Sequence, residues 1–99
     1  MQALRTWLTG LQGTVSYAEA MRVMALPHMK DLTQALEILM EQDVAVGRPI
    51  LAALVVSRTH PRPNRGFFDK ARALGLVIED EGAFHAAQLA ALGKVAPKN

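Results

Sequence analysis

Apolar residues recur at helical spacing from the start of the chain. In QALRTWLTGL, Leu4, Trp7, Leu8 and Leu11 fall at i, i+3, i+4 and i+7, one stripe of an amphipathic helix. Trp7 is expected to be largely buried in that stripe, against the third helix. Gly13 breaks the pattern, and TVSY is extended in character, with Thr14 and Val15 expected in a very short strand. Ser16 and Glu19 make an S-x-x-E capping box. A second helix should therefore begin just after Ser16, run through YAEAMRVM, and end before Pro27, because the residue ahead of a proline avoids helical geometry.

The clearest period lies in HMKDLTQALEILMEQDVAV. Met29, Leu32, Leu36, Leu39 and Met40 share one face, widened by Ala35 and Ile38. Gly47 is placed to cap this third helix, and Pro49 stops any continuation. PILAALVVS is continuously apolar and ends in Val55 and Val56, the pattern of a strand buried on both faces; a short buried helix fits the same run. A polar loop, SRTHPRPNRG, follows. Phe67, Phe68, Ala71 and Leu74 then predict a helix with Gly75 as its cap. Leu76 to Ile78 could pair with the long strand. EDEG suits a helix start, and AFHAAQLAALGK predicts a final helix ending near Gly93, with residues 94–99 as a frayed tail.

This order predicts one small α+β domain spanning residues 1–99, winged-helix-like and mostly helical, with a short sheet and an extra C-terminal helix. The second and third helices would be the helix-turn-helix pair, and the strand with its following loop the first wing.

Several segments also resemble a known family. GTVSYAEAM resembles the opening of the DNA-binding domain of O6-alkylguanine-DNA alkyltransferases, roughly G-x-V-x-T-Y-G-x-I-A. ALPHMKDLTQAL is similar to that family's recognition helix, and with one gap Lys30 falls where the family places its arginine finger. ILAALVVS falls where the family has a strand with P-C-H-R-V-V, which sets Ala52 at the active cysteine and Ala53 at the histidine. Gly66, Phe67, Phe68 and Lys70 echo a later glycine-aromatic-lysine pattern. The resemblance spans roughly residues 12 to 74 and implies a winged-helix scaffold. It excludes the family's chemistry here, because the chain holds no cysteine and alkyl transfer needs that thiolate. Non-catalytic alkyltransferase-like proteins keep the flanking P-x-H-R, which is also missing. The stretch from DVAVGRPILAALVVS to GFFDKARALG is similar to a group of short bacterial proteins of unknown function, which implies no activity.

Charge sharpens the picture. The net formal charge is only +2. Residues 48 to 72, however, hold Arg48, Arg58, Arg62, Arg65, Lys70 and Arg72 against Asp69 alone. Residues 31 to 43 hold Asp31, Glu37, Glu41 and Asp43 with no basic residue. A basic side and an acidic side are expected, the first suited to a polyanion. In the loop, Arg58, Arg62 and Arg65 recur every three or four residues in a stretch stiffened by Pro61 and Pro63. Arginine's planar fork suits phosphate. The expected nucleic-acid contacts are Lys30 and Gln34 on the third helix and Arg58, His60, Arg62 and Arg65 in the loop. Outward carboxylates on the third helix argue against ordinary major-groove reading.

The expected function is a non-enzymatic module that binds a DNA or RNA backbone or regulates. The alternative is a protein-interaction or dimerisation module, with Phe84, Ala87 and Ala91 flanked by Ala86, Leu89 and Leu92 as a homodimer face on the last helix. His28, His60 and His85 sit in three elements without ligand spacing and read as surface or helix-end residues, so no metal site, catalytic residue or cofactor is expected. The start lacks the features of a signal peptide, and the longest apolar run, Ile50 to Val56, is too short to span a bilayer. A cytoplasmic protein without membrane association is expected.

Overall fold

The computed structural model describes residues 2–94. Its elements are α1 (Gln2–Thr9), β1 (Val15–Ser16), α2 (Tyr17–Val23), α3 (Met29–Ala45), a 3₁₀ segment (Leu51–Leu54), β2 (Val55–Val56), α4 (Arg65–Ala73) and α5 (Glu81–Leu92). The fold is mostly helical α+β. Its sheet has two strands, β1 and β2, paired in parallel with Val15 opposite Val55 and Ser16 opposite Val56.

Local chemistry accounts for the element ends. Ser16 Oγ accepts from the Glu19 amide at 3.0 Å and starts α2. Only this half of the expected capping box is made, for the Glu19 carboxylate turns to Arg22 instead. Asp80 Oδ1 caps α5 by accepting from the Ala83 amide at 2.9 Å. Helices α3, α4 and α5 end on glycines in the left-handed region, Gly47, Gly75 and Gly93. Lys94, expected in the frayed tail, is tied down: its amide donates to Leu89 O, and its ammonium to Thr9 O at 2.9 Å. The rest of that expected tail, 95–99, lies outside the described residues.

The core gathers around residues 50–56, all of them buried. The 3₁₀ segment packs against α1, α3 and α5. Leu4 and Leu8 of α1, Leu32, Leu36, Leu39 and Met40 of α3, and Phe67, Phe68 and Ala71 of α4 complete the apolar cluster. The expected strand over this run is therefore mostly a 3₁₀ turn with a two-residue strand at its end. Its partner is β1, not Leu76–Ile78, which forms no strand and leaves Val77 82 % exposed.

A 3₁₀ turn with no sheet beside it leaves buried amides and carbonyls to be satisfied. Three side chains do this. Asp43 Oδ2 accepts from the Leu51 amide at 3.0 Å, Gln88 Oε1 from the Ile50 amide at 2.7 Å, and His85 Nε2 lies 2.8 Å from Ala53 O as its donor. Asp43 and His85 are thus buried, at 1 % and 4 % exposure. This corrects both the acidic-face reading of Asp43 and the surface reading of His85. Asp43 sits on the midline of the α3 stripe, since at about 100° per residue it lines up with Leu32, Leu36 and Leu39. Its Oδ1 forms ion pairs with Arg5 at 2.9 Å and Arg48 at 3.0 Å.

Three apolar expectations also shift, and one is Ile38, which lies off the α3 stripe and is 40 % exposed. Trp7 is half-buried, because it projects roughly 80° to the side of the line through Leu4 and Leu8. Met29 is 42 % exposed, standing at the first residue of α3 ahead of the elements that cover Leu32.

Candidate nucleic-acid interface

The loop between β2 and α4 has little regular structure but is braced. The Ser57 amide donates to Arg62 O at 2.8 Å and the Arg62 amide to His60 O at 2.6 Å, closing a small ring of backbone. Ser57 Oγ accepts from the Thr59 amide at 3.3 Å. At the far end, the Asn64 amide donates to the Tyr17 hydroxyl at 2.8 Å, which ties the start of α4 to the start of α2. Pro63 is buried beneath the loop. Among the described residues no strand follows β2 to make a hairpin wing.

All six expected contact residues, Lys30, Gln34, Arg58, His60, Arg62 and Arg65, are exposed. Their grouping is uneven. His60, Arg62 and Arg65 line one open groove of about 430 Å³, together with Asn64, Phe68 and Glu81. Arg58 does not line it. Arg62 reaches the first turn of α5, where a Cβ placed on Gly82 would fall 2.5 Å from its Nη2. Gly82 therefore provides the space in which this guanidinium rests. Lys30 and Gln34, four residues apart, share an exposed face of α3 and do not line the groove.

The carboxylates near these cations are partly committed. Glu81, on the groove wall, pairs with Arg72 at 3.0 Å, and Asp69 faces Arg65 at a loose 3.7 Å. Glu41 holds Lys70 at 2.7 Å, a contact that raises the lysine's pKa above its usual value. Among the described residues Lys30, Arg58 and Arg62 form no ion pair with a carboxylate.

A second, more enclosed pocket of about 260 Å³ lies on the other side of Asn64. Tyr17, Leu36, Met40, Ala52 and Phe67 form its floor, and Thr33, Glu37, Asn64 and Gly66 its rim. Tyr17 is buried, and burial pushes its hydroxyl pKa up, opposed by the hydrogen bond from Asn64. Ala52, set by the resemblance at the alkyltransferase cysteine, lies in this floor at 2 % exposure. Its methyl group supplies no nucleophile.

Sequence reasoning missed Asn64 and the pocket that it frames with Tyr17 and Thr33. Tyr17 was visible only as part of the capping-box segment, and no local spacing joins residues 17, 33, 52 and 64. Among the described residues no group of three or more histidine, aspartate or glutamate side chains is placed to hold a metal ion. No helix among them is long and apolar enough to cross a membrane. Comparison with protein families, with curated proteins and with solved structures finds no match.

Proposed function

We propose that the protein is a non-catalytic module that binds a nucleic-acid backbone through the groove of His60, Arg62 and Arg65, on a helix-turn-helix-like scaffold. The observation that carries this reading is the convergence of those three side chains on one open groove beside a braced loop. Bracing lowers the ordering cost of binding. The neighbouring Glu81 is already paired with Arg72, which reduces its repulsion of phosphate. The contact of Arg65 with Asp69 is long and exposed, so exchanging it for phosphate costs little.

Contacts of this kind position a backbone without reading bases. Binding should be sequence-tolerant and salt-sensitive. Neutralising two phosphates with Arg62 and Arg65 gives a slope of about −1.8 for log K against log salt on duplex DNA. Fluorescence anisotropy with duplex DNA, single-stranded DNA and RNA at several salt concentrations tests this. Arg62→Ala with Arg65→Ala should flatten the slope by about that amount, and Arg58→Ala should change it less. Unchanged binding by the double variant, or none by the parent at low salt, overturns the reading.

A second reading, self-association near α5, is favoured by one observation. Val77, Ala83 and Phe84 line an open, largely apolar depression of about 500 Å³ beside the start of that helix. The α5 face that the sequence offers for a dimer is split, because Phe84, Leu89 and Leu92 pack on the core while Ala86, Ala87 and Ala91 are exposed. Sedimentation of a strict monomer at high concentration removes this reading.

A further inference from the structure

We propose that the pocket between α2, α3, the 3₁₀ segment and α4 is a binding site for a small aryl-alkyl amine, its ring on the apolar floor and its ammonium at Glu37. The floor is largely apolar: Met40 is 1 % exposed, Ala52 2 %, Leu36 6 % and Phe67 7 %. At about 260 Å³ the space exceeds the roughly 150 Å³ that already admits a benzene ring. Ala52 makes this room, since a larger side chain in the same turn would fill it.

Apart from the Tyr17 hydroxyl, which accepts from the Asn64 amide, polarity lies at the rim, where Thr33 and Glu37 are half-buried and Asn64 and Gly66 exposed. Among the described residues Glu37 is the sole formally charged one lining the pocket, and it forms no ion pair with them. The nearby cation, Lys70, is bonded to Glu41 and interacts with Glu37 only through space. The rim therefore attracts a cation and repels an anion, the opposite preference to the arginine groove across Asn64. This order of polarity also sets the ligand's orientation. A partner's lysine would enter with its ammonium deepest and bury that charge unpaired among apolar side chains, which is costly. An arylalkylamine leaves its charge at the rim, where a partly desolvated ion pair with a hydrogen bond is favourable. A few polar groups around an apolar concavity are the usual form of a small-molecule site.

The inference does not rest on nucleic-acid binding, and its test reads a different surface. The ¹⁵N-labelled protein is titrated by NMR with 2-phenylethylamine, 2-phenylethanol and phenylacetate, with capped lysine methylamide as the control for a protein side chain. The amine should shift the amides of residues 17, 33, 37, 52 and 67 in a saturable way, the alcohol should do so more weakly, and the acid should not bind. Glu37→Gln, on a solvent-facing turn of a long helix, should weaken the amine about fivefold and leave the alcohol unchanged. Gly66→Leu, at the rim where an added Cβ meets open space, should weaken both. Equal binding of acid and amine overturns the proposal, as do tighter binding of the capped lysine, an unchanged affinity in Glu37→Gln, and the absence of saturable shifts at the pocket.

Discussion

At the scale of single residues, two buried polar side chains organise the centre of this protein. Asp43 is nearly inaccessible, yet it faces two arginines and the Leu51 amide. A buried carboxylate in such a place is tolerated only when so satisfied. His85 is held differently, as a neutral ring donating to Ala53 O. Its pKa lies below the usual histidine value, chiefly because burial disfavours the charged ring. The positive charge of Arg62 adds to this, and the Ala53 hydrogen bond opposes it. As pH falls below about 6.5, the unfolded chain gains a proton at this position that the folded protein resists. The unfolded state then binds more protons, so stability is full above that pH and declines below it, until the depressed folded pKa is reached. Urea unfolding between pH 7.5 and 5.5 should show this decline, and His85→Gln, which keeps a donor for Ala53 O, should reduce it. Identical pH dependence in the two proteins would rule out His85 as its source.

At the scale of elements, the turn between α2 and α3 stands apart. Its backbone closes like a helix cap, with the Ala25 amide donating to Arg22 O at 3.2 Å and the Leu26 amide to Met21 O at 2.9 Å. The left-handed position is occupied by Ala25, with φ of 55°, where α3, α4 and α5 use glycine. Alanine there carries a strain of about 1–2 kcal/mol, and replacing it frees the unfolded chain by about 0.4–1 kcal/mol. Ala25→Gly should therefore stabilise the protein by about 0.5–1 kcal/mol, a rise of a few degrees in melting temperature for a domain this size. A lowered melting temperature would show that the alanine methyl group contributes packing that outweighs its strain.

The same scale shows how much of the architecture was legible beforehand. The helices carrying Leu4 and Leu8, Leu32 to Met40, and Phe67 to Ala71 follow from their periodicity, and Gly47 and Gly75 mark the ends of the last two. Burial of residues 50–56 was equally plain, but a continuous apolar run carries no period, so its 3₁₀ geometry was hidden. The pairing of Val15 with Val55 is a two-residue contact set by how α2 and α3 fold back, and nothing local encodes it. Asp43 and His85 are surface residues by chemical class and core residues by position. Each sits where an apolar residue would complete the stripe. The exposed positions of Arg62 and Arg65 were readable from the loop. Their convergence with His60, and the separation of Arg58, depend on the backbone bond from Ser57 to Arg62.

Across the whole molecule, α1, α3 and α5 meet on one short segment, whose backbone α3 and α5 satisfy with side chains. This arrangement couples elements distant in sequence. The Leu51 amide is bonded from α3 and the Ile50 amide from α5, so adjacent amides report on different helices. In a single cooperative unit, both should exchange with solvent only through global unfolding, with the same opening free energy as the innermost amides of α3. If α5 instead detached as a separate unit, Ile50 would lose its acceptor at Gln88 and exchange faster than Leu51. The two strands are too short to hold the centre alone. Loss of α5 would break its bonds to the Ile50 amide and the Ala53 carbonyl and uncover the apolar side chains of the 3₁₀ segment that it packs against. That penalty opposes partial opening, and cooperative exchange is the expected outcome. Native-state hydrogen exchange by NMR checks it, with Gln88→Ala as the control that should release Ile50 selectively. A faster Ile50 in the parent protein would show that α5 opens independently of the remaining core.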